Sequence, residues 1–170
     1  MDTYLLEDPD NYSEGGSAEF YYLKNEPNLG FKQFKNKKWA LDAHKRQKRL
    51  AKFDLAPKIY TSVKRLRTSW YSASGWGFVT EKALILDDNI MSKRLRQIQD
   101  LVDRIYEKTG WKFWDCHYYN VGYIKRGNRK KLVCIDTGSE SFKSDGNAWG
   151  NPDPGPKCSY CLKYLCNCEE

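Results

Sequence analysis

Asp115, Asn120 and Asp136 are the residues of this chain whose types and spacing carry the most chemistry. The run Asp115-Cys116-His117-Tyr118-Tyr119-Asn120 sets a carboxylate and a carboxamide five apart, and an apolar stretch then delivers Ile135-Asp136-Thr137-Gly138. Folded around a β-hairpin, the two acids and the amide can converge on one magnesium-phosphate centre. In-line transfer of a γ-phosphoryl group asks little covalent work of a protein; it asks for an oriented hydroxyl and for metal ions that neutralise charge. A carboxylate near the hydroxyl, an amide oxygen on Mg2+ and a second carboxylate bridging the metal supply this. The plainer reading is that the same residues are turn formers around a hairpin whose tip is Gly127-Asn128-Arg129.

The elements that would position them can be read from spacing. Gly15-Gly16-Ser17 is a glycine turn leading into an aromatic strand, and Asn25-Glu26-Pro27-Asn28 is a turn before the strand Leu29 to Phe34. Period-two alternation puts Gly30 and Lys32 on one face of that strand and Phe31 and Gln33 on the other. A helix is expected over Ala40 to Phe53, in which Asp42 is the only carboxylate, followed by strands at Leu55 to Tyr60 and Gly75 to Ala83. The clearest helix is Ile90 to Lys108: Leu95, Ile98, Leu101, Val102 and Ile105 recur at helical spacing, Asp87, Asp88 and Asn89 offer caps, and Gly110 stops it. Leu132 to Ile135 is a buried strand that delivers Asp136.

In this order the motifs resemble the protein-kinase-like superfamily, whose catalytic loop reads Asp, four residues, Asn, followed by a strand pair and Asp-x-Gly. The resemblance implies an α+β, minimal kinase-like fold of the type found in tailed bacteriophages. It implies an extension over 1–13 and a kinase-like domain over 14–140, with an antiparallel amino-terminal lobe carrying one helix to about residue 86 and a truncated carboxy-terminal lobe from about residue 87. Asp115 would be the catalytic base, Asn120 and Asp136 the Mg2+ ligands, and Lys32 the contact to the α and β phosphates of ATP. Gly15, Gly16 and Ser17 would lie over the phosphates and Gly30 above adenine, with backbone groups near Glu81 and Ala83 bonding the base. His117 stands where protein kinases usually carry Lys and is grouped with the nucleotide contacts, while Phe113 and Trp114 replace the usual His and Arg. Ala43 or Gln47 falls where the family carries a helix Glu, and a neutral Gln hydrogen-bonds a Lys without forming an ion pair. The implied activity is ATP- and Mg-dependent phosphotransfer to a hydroxyl of a protein or small molecule.

A loop or linker is expected over 141–157, and the tail 158–170 then carries Cys158, Cys161, Cys166 and Cys168. Four thiols in so short a span can surround one Zn2+ tetrahedrally and tie down the terminus. Free thiols are the alternative, and disulfides come last because no secretory signal is visible. Cys116 and Cys134 read as small buried residues. The net charge of +7 gathers between Lys45 and Arg67 and again between Lys125 and Lys131. Such a surface favours polyanions, and Trp70, Tyr71 and Trp76 could stack on bases. Two further readings follow: a basic zinc-containing nucleic-acid-binding protein, and a catalytically weak pseudokinase that binds and inhibits a host protein. A composition 40% hydrophobic and 15% aromatic suffices for a real core. No stretch reads as a membrane span or signal peptide, so the expectation is a soluble cytoplasmic protein without a membrane partner, in the host cell cytoplasm if viral.

Overall fold

The computed structural model describes Tyr4, Leu6 and residues 12–14, 18–66, 75–86 and 92–144. Within these the chain is mixed α+β, with two α-helices and antiparallel sheets. Gly15, Gly16, Ser17, Trp70, Tyr71 and the tail cysteines Cys158, Cys161, Cys166 and Cys168 lie outside the described residues.

The first sheet has the order β1 (Tyr12–Glu14), β2 (Ala18–Tyr22), β3 (Leu29–Phe34), β4 (Trp76–Glu81). Alternation divides it into two faces. Phe31 lies opposite Val79 and joins Leu23, Leu29 and Leu66 in one apolar cluster. On the other face Phe34 and Phe78 pack against Ala40 and Ala43 of helix α1 (Lys37–Ala51). The helix starts before the expected Ala40 because Asn36 caps it, its side chain accepting from the Trp39 amide at 2.9 Å; such a cap contributes about 1 kcal/mol. It stops short of Phe53, where the chain turns through Asp54 at φ 55°.

Helix α2 (Leu95–Thr109) also begins later than its apolar pattern suggested, after a 3-10 turn at Ser92–Arg94. Gly110 ends it with φ 71°, a left-handed value that glycine adopts without penalty. Ile98, Leu101 and Ile105 are buried, each stabilising the fold by about 1.5–3 kcal/mol. They share a core with Leu50, Leu55, Phe113, Val121, Cys134 and Phe142, so the end of α1 is embedded in the same cluster as α2. Around it lie a three-stranded sheet, β5 (Leu84–Ile85), β7 (Val121–Arg126), β8 (Arg129–Cys134), and a two-stranded one, β6 (Trp111–Phe113) with β9 (Phe142–Ser144).

Strand β9 corrects the loop expected from residue 141. Phe142 is buried and stacks on Phe113 with ring centroids 5.1 Å apart, and one aromatic side chain in this core outweighs the turn-forming residues beside it. Among the described residues no helix is long and apolar enough to cross a membrane.

Candidate functional site

The site is assembled where the first sheet meets the end of β8. Lys32 lies on the β3 face that carries Gly30 and Phe34, and its ammonium donates to the Ile135 carbonyl at 2.7 Å, immediately before Asp136. Loss of water lowers its pKa from the ordinary lysine value, an effect opposed chiefly by the negative charge of Asp136. The residue as a whole keeps some exposure; the shift arises because its ammonium end is enclosed. The hydrogen-bond acceptor is a carbonyl, where the helix position expected to supply a Glu holds none. Gly30 leaves room for the Phe20 ring, which would stand 2.1 Å from a Cβ built there, so a side chain at position 30 would displace the aromatic from β3.

The 115–120 loop is held by its own polar groups. A 3-10 turn at Tyr118–Asn120 brings Asn120 inward to 8% exposure. The Asn120 amide nitrogen donates to both the main-chain oxygen and Oδ2 of Asp115 at 2.9 Å and lies 3.1 Å from Nε2 of His117. The same His117 nitrogen is 3.2 Å from Asp115 Oδ1. A ring nitrogen accepts from the amide when it carries no proton and donates to the carboxylate when it does, so the contact made depends on the ring's tautomer and charge. The hydrogen bond to Asp115 raises the His117 pKa above its ordinary value, with burial opposing. With its nitrogen turned to Asp115, Asn120 keeps Oδ1 as its acceptor atom.

Main-chain contacts tie this loop to Asp136. The Asn120 carbonyl accepts from the Ile135 amide at 2.9 Å and from the Asp136 amide at 3.5 Å. The Asp136 carboxylate is oriented on both sides, Oδ1 accepting from the Gly138 amide at 3.0 Å and Oδ2 from the Ser141 hydroxyl at 2.8 Å. Each oxygen retains a lone pair. The sequence-derived residues Lys32, Asp115, His117, Asn120 and Asp136 therefore belong to one connected arrangement of side-chain and main-chain bonds.

Helix α1 approaches the arrangement, and among the described residues none of its side chains hydrogen-bonds Lys32. Gln47 is buried and donates to the Pro57 carbonyl at 3.0 Å and to Thr80 Oγ1 at 2.6 Å, while its oxygen accepts from Thr137 at 3.3 Å. Ala43 is fully buried in the sheet-facing cluster. Arg46 donates to the Thr137 carbonyl at 2.8 Å and pairs with Asp42 at 2.9 Å, its guanidinium lying 5.5–5.7 Å from the ring centroids of Phe142 and Trp111. Sequence reading missed Arg46 and Ser141, since their roles depend on where α1 and β9 land; Gln47 offered a signal, being a polar residue on the stripe Ala40, Ala43, Leu50.

Glu81 and Ala83 lie at the end of β4 and just beyond. The Glu81 amide is taken by the Lys58 carbonyl at 2.9 Å, and its side chain pairs with Arg126, the nearer oxygen 2.6 Å away. Ala83 lies against Gly122 of β7, its Cβ 3.4 Å from the point a Cβ would occupy there.

Among the described residues no cluster of three or more His, Cys, Asp and Glu is placed to hold a metal. Mg2+ does not require one: one or two hard oxygen donors, with phosphate oxygens and water, complete its shell. The Asp136 carboxylate and Asn120 Oδ1 are donors of that kind. No model of a known protein family matches the chain, and no curated protein matches it in sequence.

Proposed function

We propose that this chain is a minimal kinase-like phosphotransferase that binds ATP with Mg2+ and passes the γ-phosphoryl group to a hydroxyl of a protein or small molecule. The observation that carries the reading is the 2.7 Å bond from Lys32 to Ile135, which brings an ammonium from one sheet beside the acid and amide presented by another. The order of elements supports it as well: a lysine strand, a helix, a strand leading to a connector, a second helix, the Asp115–Asn120 loop, a hairpin and Asp136.

In this reading Lys32 meets the nucleotide phosphates, whose charge offsets the desolvation that now lowers its pKa. Asn120 Oδ1 and Asp136 would hold Mg2+, which neutralises charge on the transferring group. Asp115 orients the acceptor hydroxyl and takes its proton, and Asn120 fixes the carboxylate for that task. By the resemblance Gly15, Gly16 and Ser17 would meet the phosphates, and base contacts would fall to the main chain near Ala83, since the Glu81 amide is already bonded to Lys58.

A second reading, a nucleotide-binding pseudokinase, is favoured by one observation: the partner of Lys32 is a carbonyl and α1 offers it no carboxylate. Calorimetry of ATP binding with and without Mg2+, paired with radiolabel transfer, decides between the two. Mg-dependent binding is expected, with transfer reduced roughly 10²- to 10⁴-fold in Asp115→Asn and in Asp136→Ala. Binding without transfer in the wild type favours the pseudokinase. Absence of ATP binding, with salt-sensitive nucleic-acid retention that survives Asp136→Ala, rejects both.

A further inference from the structure

Helix α2 and the β7–β8 hairpin leave a groove at the edge of their shared core, floored by Leu86, Leu101 and Leu132. Arg94, Gln97, Leu101 and Arg104 are spaced by three and four and form one stripe, which faces a groove of about 540 Å3. Tyr123 and Leu132, paired across the hairpin, line its opposite wall, and the Tyr123 hydroxyl donates to Gln97 at 2.7 Å. At the lip, Leu84 is 64% exposed and Ile85 40%. These two large side chains extend the apolar surface of the groove to its rim.

The charge around this apolar strip is one-sided. Among the described residues Arg94, Arg104, Lys130 and Lys131 line the groove, against a single carboxylate, Asp100. Lys131 is partly compensated by Asp54, 3.7 Å away; among the described residues Arg94, Arg104 and Lys130 have no such partner, and they stand exposed.

We propose that the groove docks an acidic amphipathic segment of a partner protein, its apolar side chains over Leu84, Tyr123 and Leu132 and its carboxylates toward Arg94, Arg104 and Lys130. Charge complementarity selects this occupant. A nucleic-acid strand would satisfy the cations yet set a sugar-phosphate backbone against Leu84 and Ile85, and a second copy of the chain would bring another +7. None of Lys32, Asp115, Asn120 and Asp136 lines the groove, so docking stands independently of phosphoryl transfer.

The test uses the full chain and a fluorescein-labelled peptide with Leu at helical spacing and Glu between, read by fluorescence anisotropy. Saturable, salt-sensitive binding is expected, roughly tenfold tighter than for the same peptide with Lys in place of Glu. The double variant Arg94→Glu with Arg104→Glu, and separately Leu84→Asp, should each weaken it about tenfold or more, with circular dichroism and melting unchanged because all three side chains are exposed. Asp136→Ala should bind like wild type. Equal binding of the Glu and Lys peptides, no saturable binding, indifference to the charge reversal, or displacement of the peptide by a single-stranded oligonucleotide would each overturn the proposal.

Discussion

His117 is where pH acts most directly on the candidate site. Its pKa is raised chiefly by the hydrogen bond to Asp115, so the folded chain holds the proton more tightly than the unfolded chain does. Stability from this pair is fully present below the unfolded value of about 6.5 and fades as pH rises through the raised folded value. Protonated His117 engages the carboxylate proposed as the base, so transfer should increase over the interval in which that stabilisation fades. With two histidines in the chain, the imidazole titration is resolvable by NMR. The His117 resonance should titrate above 6.5 in wild type and move down toward that value in Asp115→Asn; a wild-type value at or below 6.5 would refute the pairing. The residues of this arrangement were legible because their five-residue spacing lies within one loop. The acceptor for Lys32 was not, since Ile135 contributes a main-chain oxygen that any residue type would supply.

At the level of elements, α1 is bonded into its surroundings by side chains that a helical pattern reports only in part. Ala40, Ala43, Gln47 and Leu50 form its buried stripe, and Gln47 is the polar member, joining the helix to Pro57, Thr80 and Thr137. Replacing it by Leu removes these bonds and should cost about 2–3 kcal/mol, measured by urea denaturation. Gln47→Glu should be at least as damaging near neutral pH, because an ionised carboxylate cannot donate to the Pro57 carbonyl and is costly to bury. If Gln47→Leu unfolds at the wild-type midpoint, the bonds are without consequence. The types of both helices and of β3, β4 and β8 were readable from periodicity, but the strand expected over Leu55 to Tyr60 is reduced to an isolated bridge from Ile59 to Thr80, and ends were set by single local features: the Asn36 cap, the turn at Asp54, the left-handed Gly110. Strand β9 was hidden because three residues are too few to show alternation.

Across the whole molecule, Arg126 bonds two segments distant from its hairpin. It reaches Glu81 at 2.6 Å and Asp54 at 3.0 Å, linking the end of β4 and the turn after α1 to β7. The Arg126 and Glu81 side chains are only 23% and 15% exposed, so the pair should exceed an ordinary surface ion pair. Arg126→Ala should cost about 1–2 kcal/mol and speed amide exchange in β4 and the hairpin roughly tenfold; unchanged exchange would show that the sheets are held by their cores alone. This role was invisible in a sequence where Arg126 sits among Lys125, Arg129, Lys130 and Lys131. Composition gave the sign of the surface, and only folding shows which cations are spent on internal partners.

Residues 137–141 alone separate Asp136 from β9. Thr137 and Ser141 are buried within that span, and the Ser141 hydroxyl ends on Asp136 itself. Loss of β9 from its pairing with β6 would therefore also release the carboxylate proposed to meet the metal.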